Sequence, residues 1–320
     1  MVKKRIIKAI PLNFVQSSFG VSSHSLKYSN TFRNTNIHLP NVNQQNEINN
    51  KKRVSIIYMH GLFGSSDNFR LTNKLLVEKF HINVDLFSLD IRNHGSSPHS
   101  KEISLKHIEK DLQYFIERIV LNNKKEKEPN SKIILVGHSL GGKSNMLYAL
   151  NNPSLVDGLV CIDVSPSCYV GVHNHDSKFE AMIGASTLFD NPKTTKNDID
   201  KKMQEFNLNK GERLYLMNNL IENDKKKFQW RVNVDTLREN QDKLLSFPKI
   251  STKKQFDKKV LFIGGGDSHY LKKPFRDSIH TFFPNHEINL IPQTSHFCFA
   301  EKTKPFNEIL YLYLKNIINK

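Results

Sequence analysis

Residues 132–144, KIILVGHSLGGKS, place two serines, a lysine and three glycines where an apolar run ends. A serine hydroxyl is a poor nucleophile until a base takes its proton. A lysine beside glycines can hold phosphate. The segment satisfies both patterns. Read as G-x-S-x-G, Gly137-His138-Ser139-Leu140-Gly141 is a nucleophile elbow, with Ser139 on a sharp strand-to-helix turn. Read as G-x-x-x-x-G-K-[ST], residues 137–142 cradle phosphate, Lys143 reaches it and Ser144 holds magnesium. Both motifs need a strand before and a helix after, so the segment alone leaves both open.

Hydrolysis at Ser139 would need a base, an acid to orient that base, and elements that deliver all three to one place. His296 lies in PQTSH, after the apolar run 288–291. Asp163 lies in CIDVSP at the end of 159–164, and Asp267 in GGGDS after 260–263. His60 follows the run 54–59, and Asp90 follows 84–89. These runs and 133–136 read as buried strands, apolar on both faces. Helices are expected at 67–80 and after Ser139. Leu105, Ile108, Leu112, Phe115, Ile116 and Ile119 recur at helical spacing behind Ser104 as N-cap. Phe306, Ile309, Leu310, Tyr313 and Ile317 mark a closing amphipathic helix.

Such alternation implies a doubly wound, mostly parallel α/β sheet covered on both faces. Its chemistry belongs at the carboxyl ends of the strands, where His60, Asp90, Ser139, Asp163, Asp267 and His296 all fall. Residues 166–249 are polar and helix-forming with no strong strand. They read as a helical cap inserted into a core of 51–165 and 250–320, behind a basic, low-complexity extension at 1–50.

This layout favours the elbow. A phosphate loop usually follows the first strand of its domain, and two strand–helix units precede this one. His138-Ser139-Leu140 is poor in glycine for a backbone cradle. LVCID at 159–163 imitates the acidic strand of a nucleotide hydrolase. That reading nevertheless leaves HGLFG, RNHGSSPHS and the late TSH without a role. The order Ser…Asp…His is that of the α/β-hydrolase fold. A non-catalytic binding protein on this fold is the other alternative. Such proteins often lose part of the triad, whereas this chain keeps Ser139, His296 and two eligible acids.

The motifs HGLFGSSDNF, DIRNHGSSPHS, VGHSLGGK, IDVSP, GGGDSHYL and SHFCFAEKTKP run from about Val54 to the C-terminus. Together they resemble the esterases related to α/β-hydrolase domain-containing protein 11 and their bacterial YbfF-type relatives. A lysine after GHSxGG is a habit of that family. The resemblance implies cleavage of carboxylic esters and thioesters of acyl groups, without metal or organic cofactor. It makes Ser139 the nucleophile and His296 the general base. It favours Asp163 as the acid through IDVSP. The family often has Asn-Ser where this chain has Asp267-Ser268, so Asp267 stands as the alternative acid and Ser268 as an auxiliary partner. The oxyanion hole is expected from the backbone N–H of Leu140 and of Leu62, with Phe63 next. His60 and His138 are expected to support loop geometry, and Asp90, Arg92, Asn93 and His94 either to brace the site or to form a charged surface loop. In the cap, Phe179, Met182, Leu188, Phe189, Leu216, Phe228 and Trp230 are candidates for the acyl pocket, with the cap's own core as the plainer reading.

Composition sets the limits. The net charge is +16 and the pI about 9.6, which suits anionic partners. The lysines are scattered, however, and no nucleic-acid motif accompanies them. Cap residues Lys193, Lys201, Lys202, Arg213, Lys225, Lys226, Lys227 and Arg231 suit an anionic leaving group such as coenzyme A, or peripheral contact with an anionic membrane. Three cysteines, Cys161, Cys168 and Cys298, form no closed disulfide framework and have no CxxC spacing. No run approaches the roughly 18 apolar residues of a transmembrane helix. No Asp or Glu precedes Glu47, while Lys3, Lys4, Arg5, Lys8, Lys27 and Arg33 are basic. Such leaders resemble transit peptides, so an intracellular site is expected, in the cytoplasm or an organelle such as the mitochondrion.

Overall fold

The computed structural model describes residues 8–19, 28–29, 53–79, 84–122 and 131–319. Lys3, Lys4, Arg5, Lys27, Arg33 and the Asn-rich stretch 34–50 lie outside the described residues. The chain opens with strands β1 (Phe14–Phe19), β2 (Tyr28–Ser29) and β3 (Arg53–Met59). A 3₁₀ turn over Ser66–Phe69 leads into helix α1 (Arg70–Val77) and strand β4 (Val84–Leu89). Helix α2 (Leu105–Phe115) starts at Ser104, whose hydroxyl accepts from the His107 amide as the N-cap pattern requires. Strand β5 (Ser131–His138), helix α3 (Leu140–Asn151) and strand β6 (Gly158–Ile162) follow.

Residues 166–249, the stretch expected as a cap, carry α4 (Asp176–Ser186), α5 (Lys196–Gln204) and α6 (Lys210–Met217). A short hairpin, β7 (Leu220–Glu222) and β8 (Phe228–Trp230), precedes α7 (Val234–Glu239) and α8 (Gln241–Leu245). The core resumes with β9 (Val260–Gly265), α9 (Asp277–Phe282), β10 (His286–Ile291), α10 (Cys298–Glu301) and α11 (Thr303–Ile318). The hairpin is absent from the sequence reading, because three-residue strands in a charged segment carry no period-two signal.

The main sheet has eight strands in the order β10-β9-β6-β5-β3-β4-β1-β2. Strands β3, β4, β5, β6, β9 and β10 are parallel. Alternate residues of each strand face opposite layers. Ile57, Met59, Leu135 and Cys161 enter one core, and Ile56, Tyr58, Val136 and Ile162 the other. Both faces are therefore apolar, which is why these strands read as unbroken runs. β4 flanks β3 on one side and β5 on the other. The sheet thus reverses direction between β3 and β5, at the crevice where doubly wound sheets place ligands.

The N-terminal segment joins this sheet. β1 pairs antiparallel with β4, Phe14 opposite Leu89, although the sequence reading gives residues 1–50 no element. Its order comes from partners some 70 residues away, which no local pattern reports. The Ile10 amide donates to Asp111 Oδ1, and the Asn13 amide to Ser97 Oγ. Asp111 also receives Arg92 in a bidentate pair, both contacts 2.6 Å, with both side chains buried. Removing one partner of a buried pair strands the other charge. Asp111→Ala should therefore lower the unfolding free energy in urea by about 3–5 kcal/mol, whereas Arg92→Leu with Asp111→Leu should recover most of that loss.

Candidate active site

The elbow is built by close packing. Ser139 has φ 50 and ψ −115, a left-handed backbone that a serine holds only under constraint. Its amide donates to the Ile162 carbonyl, and the Gly141 amide to the His60 carbonyl. A Cβ on Gly141 would lie 2.3 Å from the Met59 oxygen, and one on Gly137 2.5 Å from the Gly142 nitrogen. The glycines of G-x-S-x-G are thus what lets β5 turn into α3 against β3. Leu140 begins α3, so its N–H has no intrahelical acceptor.

Four loops from neighbouring strands meet here. Asp163, fully buried at 0% exposure, follows β6. Its Oδ1 accepts from the Gly265 amide at 3.0 Å. Its Oδ2 accepts from His296 Nδ1 at 2.7 Å and from the Ser268 hydroxyl. A carboxylate only accepts, so His296 Nδ1 carries the proton and neutral His296 keeps its lone pair on Nε2. The imidazole stacks on Tyr270 with centroids 4.1 Å apart. His138 Nε2 donates to the His296 carbonyl at 2.9 Å, tying the histidine loop to the residue before Ser139.

Asp267 does not join this network. It is exposed, and its amide bonds the Thr294 carbonyl. Of the two candidate acids the structure brings Asp163 to His296. Ser268, one residue further along, points inward to Asp163 in the auxiliary position.

The supporting histidines hold loops. His60 accepts the Ile91 amide at Nε2 and donates from Nδ1 to Gly61, so it is neutral with both nitrogens engaged. Asp90 accepts the Ser66 and Ser96 amides at 2.7 and 2.8 Å. Asn93 accepts the Ser100 amide on its side chain and the Asn233 amide on its carbonyl. The HGLFG loop is pinned to the cap: Tyr215 OH donates to Leu62 O and Asn219 Nδ2 to Phe63 O. Phe63 sits at φ 63, and its ring packs on Phe179.

Leu62, Ser139, Leu140 and Tyr270 line one cleft, with Lys143, Tyr169, His175, Gln241, Leu244 and Leu245 around them. It is narrow, about 20 Å³, where one water needs roughly 10–15 Å³. A larger cavity of about 570 Å³ touches Val260 and His286, where β9 and β10 begin. That is the amino end of the sheet, opposite the loops just described. The expected cap residues mostly form the cap's own core. Phe179, Met182 and Leu216 are buried, and Trp230 Nε1 bonds Met182 O and Ser186 Oγ. Sequence reasoning missed Tyr169, His175, Gln241 and Tyr270, whose only common property is where the fold puts them.

The phosphate-loop reading finds no support. Lys143 is 2% exposed, its Nζ donates to the Leu245 carbonyl at 2.5 Å, and the Tyr169 ring lies 4.9 Å beneath it. Ser144 Oγ donates back to Leu140 O within the helix. Both residues are occupied inside the protein. Cys298 is buried with its thiol pKa pushed up by desolvation, so it fills space.

Residues 54–303 match the family profile described as alpha/beta hydrolase fold, and the chain belongs to that family. It is 32% identical over 265 residues to the sn-1-specific diacylglycerol lipase ABHD11 of Mus musculus, covering 81% of this chain and 80% of that one. It is 27% identical over 276 residues to Esterase YbfF of Escherichia coli (strain K12), covering 86% of this chain and 99% of that one. A solved structure titled "Marine microorganism esterase" superposes with a TM-score of 0.73 at 22% identity, over 95% of this chain and 100% of that one. The resemblance seen in the motifs is thus shared by the chain at large.

Burial of imidazoles around the site couples stability to pH. Desolvation holds His94 down to about 3. Desolvation also lowers His60 and His138. Between the folded value and the unfolded value near 6.5, the unfolded chain binds more protons, so stability rises with pH. Each such histidine should cost up to about 1.4 kcal/mol per pH unit below about 6.5. Urea midpoints measured from pH 7 down to pH 4 should fall accordingly, and His94→Gln should flatten the slope.

Proposed function

We propose that this chain is a serine esterase that cleaves carboxylic esters or thioesters of acyl groups through Ser139, His296 and Asp163. The observation that carries the reading is the 2.7 Å contact of His296 Nδ1 with buried Asp163, set beside the strained turn at Ser139. The esterase and lipase names of its relatives agree with it.

In this reading His296 Nε2 takes the proton from Ser139 Oγ as the oxygen attacks the ester carbonyl. Asp163 holds the imidazole in the Nδ1–H tautomer and stabilises the imidazolium. Ser268 and the Gly265 amide keep that carboxylate aimed. The developing oxyanion meets the N–H of Leu140, at the start of α3, and an N–H of the HGLFG loop, Leu62 or Phe63. His296 returns the proton to the leaving alcohol or thiol. Water then repeats the sequence on the acyl-enzyme, releasing the acid and restoring Ser139.

Fluorophosphonate labelling alongside p-nitrophenyl ester turnover tests this. Ser139→Ala should lose both. Asp163→Asn should drop kcat by about 10³–10⁴-fold. Asp267→Asn, an exposed change outside the network, should stay within about two-fold. A folded but unlabelled and inactive parent would reject the reading.

Exposed Lys193, Lys201, Lys225 and Lys226 on the cap support a finer reading, in which the leaving group is anionic, such as coenzyme A. Arg213, Lys202 and Lys227 are matched instead by Asp200, Glu205 and Asp190. Charge reversal at Lys225 and Lys226 should lower kcat/KM for an acyl-CoA while sparing a neutral ester. Equal effects on both would remove coenzyme A from the proposal.

A further inference from the structure

The bond to Asp163 fixes one edge of the His296 imidazole and leaves its faces to packing. One face lies on the Tyr270 ring, with centroids 4.1 Å and planes 23° apart. His173 stacks on the same Tyr270 ring, at 4.3 Å and 9°. A phenol ring has room for one imidazole on each face, so Tyr270 is sandwiched between the two. The stack joins three separate loops, those after β6, β9 and β10. The Tyr270 backbone is fixed as well. Its carbonyl accepts the Tyr169 hydroxyl at 2.9 Å, and its amide donates to Ser268 Oγ at 3.3 Å. The Tyr169 ring also packs on it edge-on, with centroids 5.0 Å apart. The proton transfers proposed above leave this stack without a role.

We propose that Tyr270 is a positioning residue for His296: its face keeps the imidazole in the plane that Asp163 sets, and it stabilises the imidazolium that forms as Ser139 gives up its proton. This rests on the esterase reading above. An aromatic face carries negative charge density and attracts a cation within about 6 Å of its centroid. Neutral His296 gains little from that attraction, whereas charged His296 gains all of it. The contact therefore strengthens in the transition state, and only such contacts lower the barrier. Asp163 meets the forming charge at Nδ1, and Tyr270 meets it at the face. The other imidazoles of the cluster do not oppose it. Desolvation holds His138, whose ring lies 4.6 Å from that of His296, and His173 below the ordinary imidazole range. Both are neutral at neutral pH and bring no like charge.

Changes that keep the ring's shape but drain its face of charge test this. Tyr270→Phe retains a face, and 4-fluoro- and 3,4,5-trifluorophenylalanine introduced at the same position weaken it in steps with little change in size. The substrate is p-nitrophenyl butyrate, with fluorophosphonate labelling counting active sites in each protein. From Tyr270→Phe through its fluorinated forms, kcat/KM per site should fall stepwise by about two- to five-fold in all. The loss should lie in kcat, with KM unchanged, because the contact is gained only in the transition state. Tyr270→Leu, which removes the face, should fall further. The acid limb of its pH–kcat/KM profile should move to lower pH, because the protonated state has lost its support. A flat fluorine series overturns the proposal, since the ring would then only fill space. A KM that rises at constant kcat overturns it too, since the ring would then be a substrate contact. The fluorine series stands even if Tyr270→Leu fails to fold. A parent that labels and turns over ester but gives a flat series defeats this inference alone, whereas one that does neither defeats the esterase reading as well.

Discussion

The Asp163 carboxylate is withdrawn completely from solvent, and a buried charge persists only when hydrogen bonds replace its water. Those bonds come from three separate places: the Gly265 amide at the end of β9, the Ser268 hydroxyl just beyond it, and His296 after β10. The parallel order β5-β6-β9-β10 makes this possible, because it points the carboxyl ends of four adjacent strands the same way. The charge and the sheet order depend on each other. A misplaced strand would leave a carboxylate buried without donors.

The same end of the sheet carries the backbone constraint at Ser139. The Ser139 amide is held by the Ile162 carbonyl at the end of β6, and the Gly141 amide by the His60 carbonyl just after β3, so the turn is fixed from the strands on either side of β5. The turn is therefore strained locally and supported from both neighbours. The bracing loop 90–100 extends the support outward. Asp90 gathers the Ser66 and Ser96 amides, and Arg92 reaches back to Asp111 and the N-terminal segment. That strand segment is consequently part of the scaffold behind the site.

The cap is joined to this scaffold at the loops that matter for a reaction at Ser139. Tyr215 and Asn219 hold the carbonyls of Leu62 and Phe63, and Lys143 reaches from α3 to the Leu245 carbonyl. The lysine that makes the sequence look like a phosphate loop is, in the fold, a strut between α3 and the cap. Its burial explains both facts: an ammonium on the inner face of α3 must find an acceptor, and the end of α8 supplies one.

Much of the site is legible in the chain. Gly137-His138-Ser139-Leu140-Gly141 between an apolar run and a helix specifies the elbow, because only glycine fits where Gly141 meets the Met59 carbonyl. The six parallel strands are legible because both of their faces are buried. The choice between Asp163 and Asp267 is not. Each ends a strand or follows one, and only the register of β9 and β10 against β6 decides which carboxylate meets His296. The joining of Phe14–Phe19 to β4 and the convergence of Tyr169, His175 and Gln241 on the cleft are likewise matters of tertiary structure. Local periodicity records which face of an element is apolar, so the sequence by itself determined the parallel strands and the sharp turn at Ser139. Contacts between residues far apart in the chain leave no such record, so the aspartate that meets His296, the N-terminal strand and the cleft's lining were decided only when the chain folded.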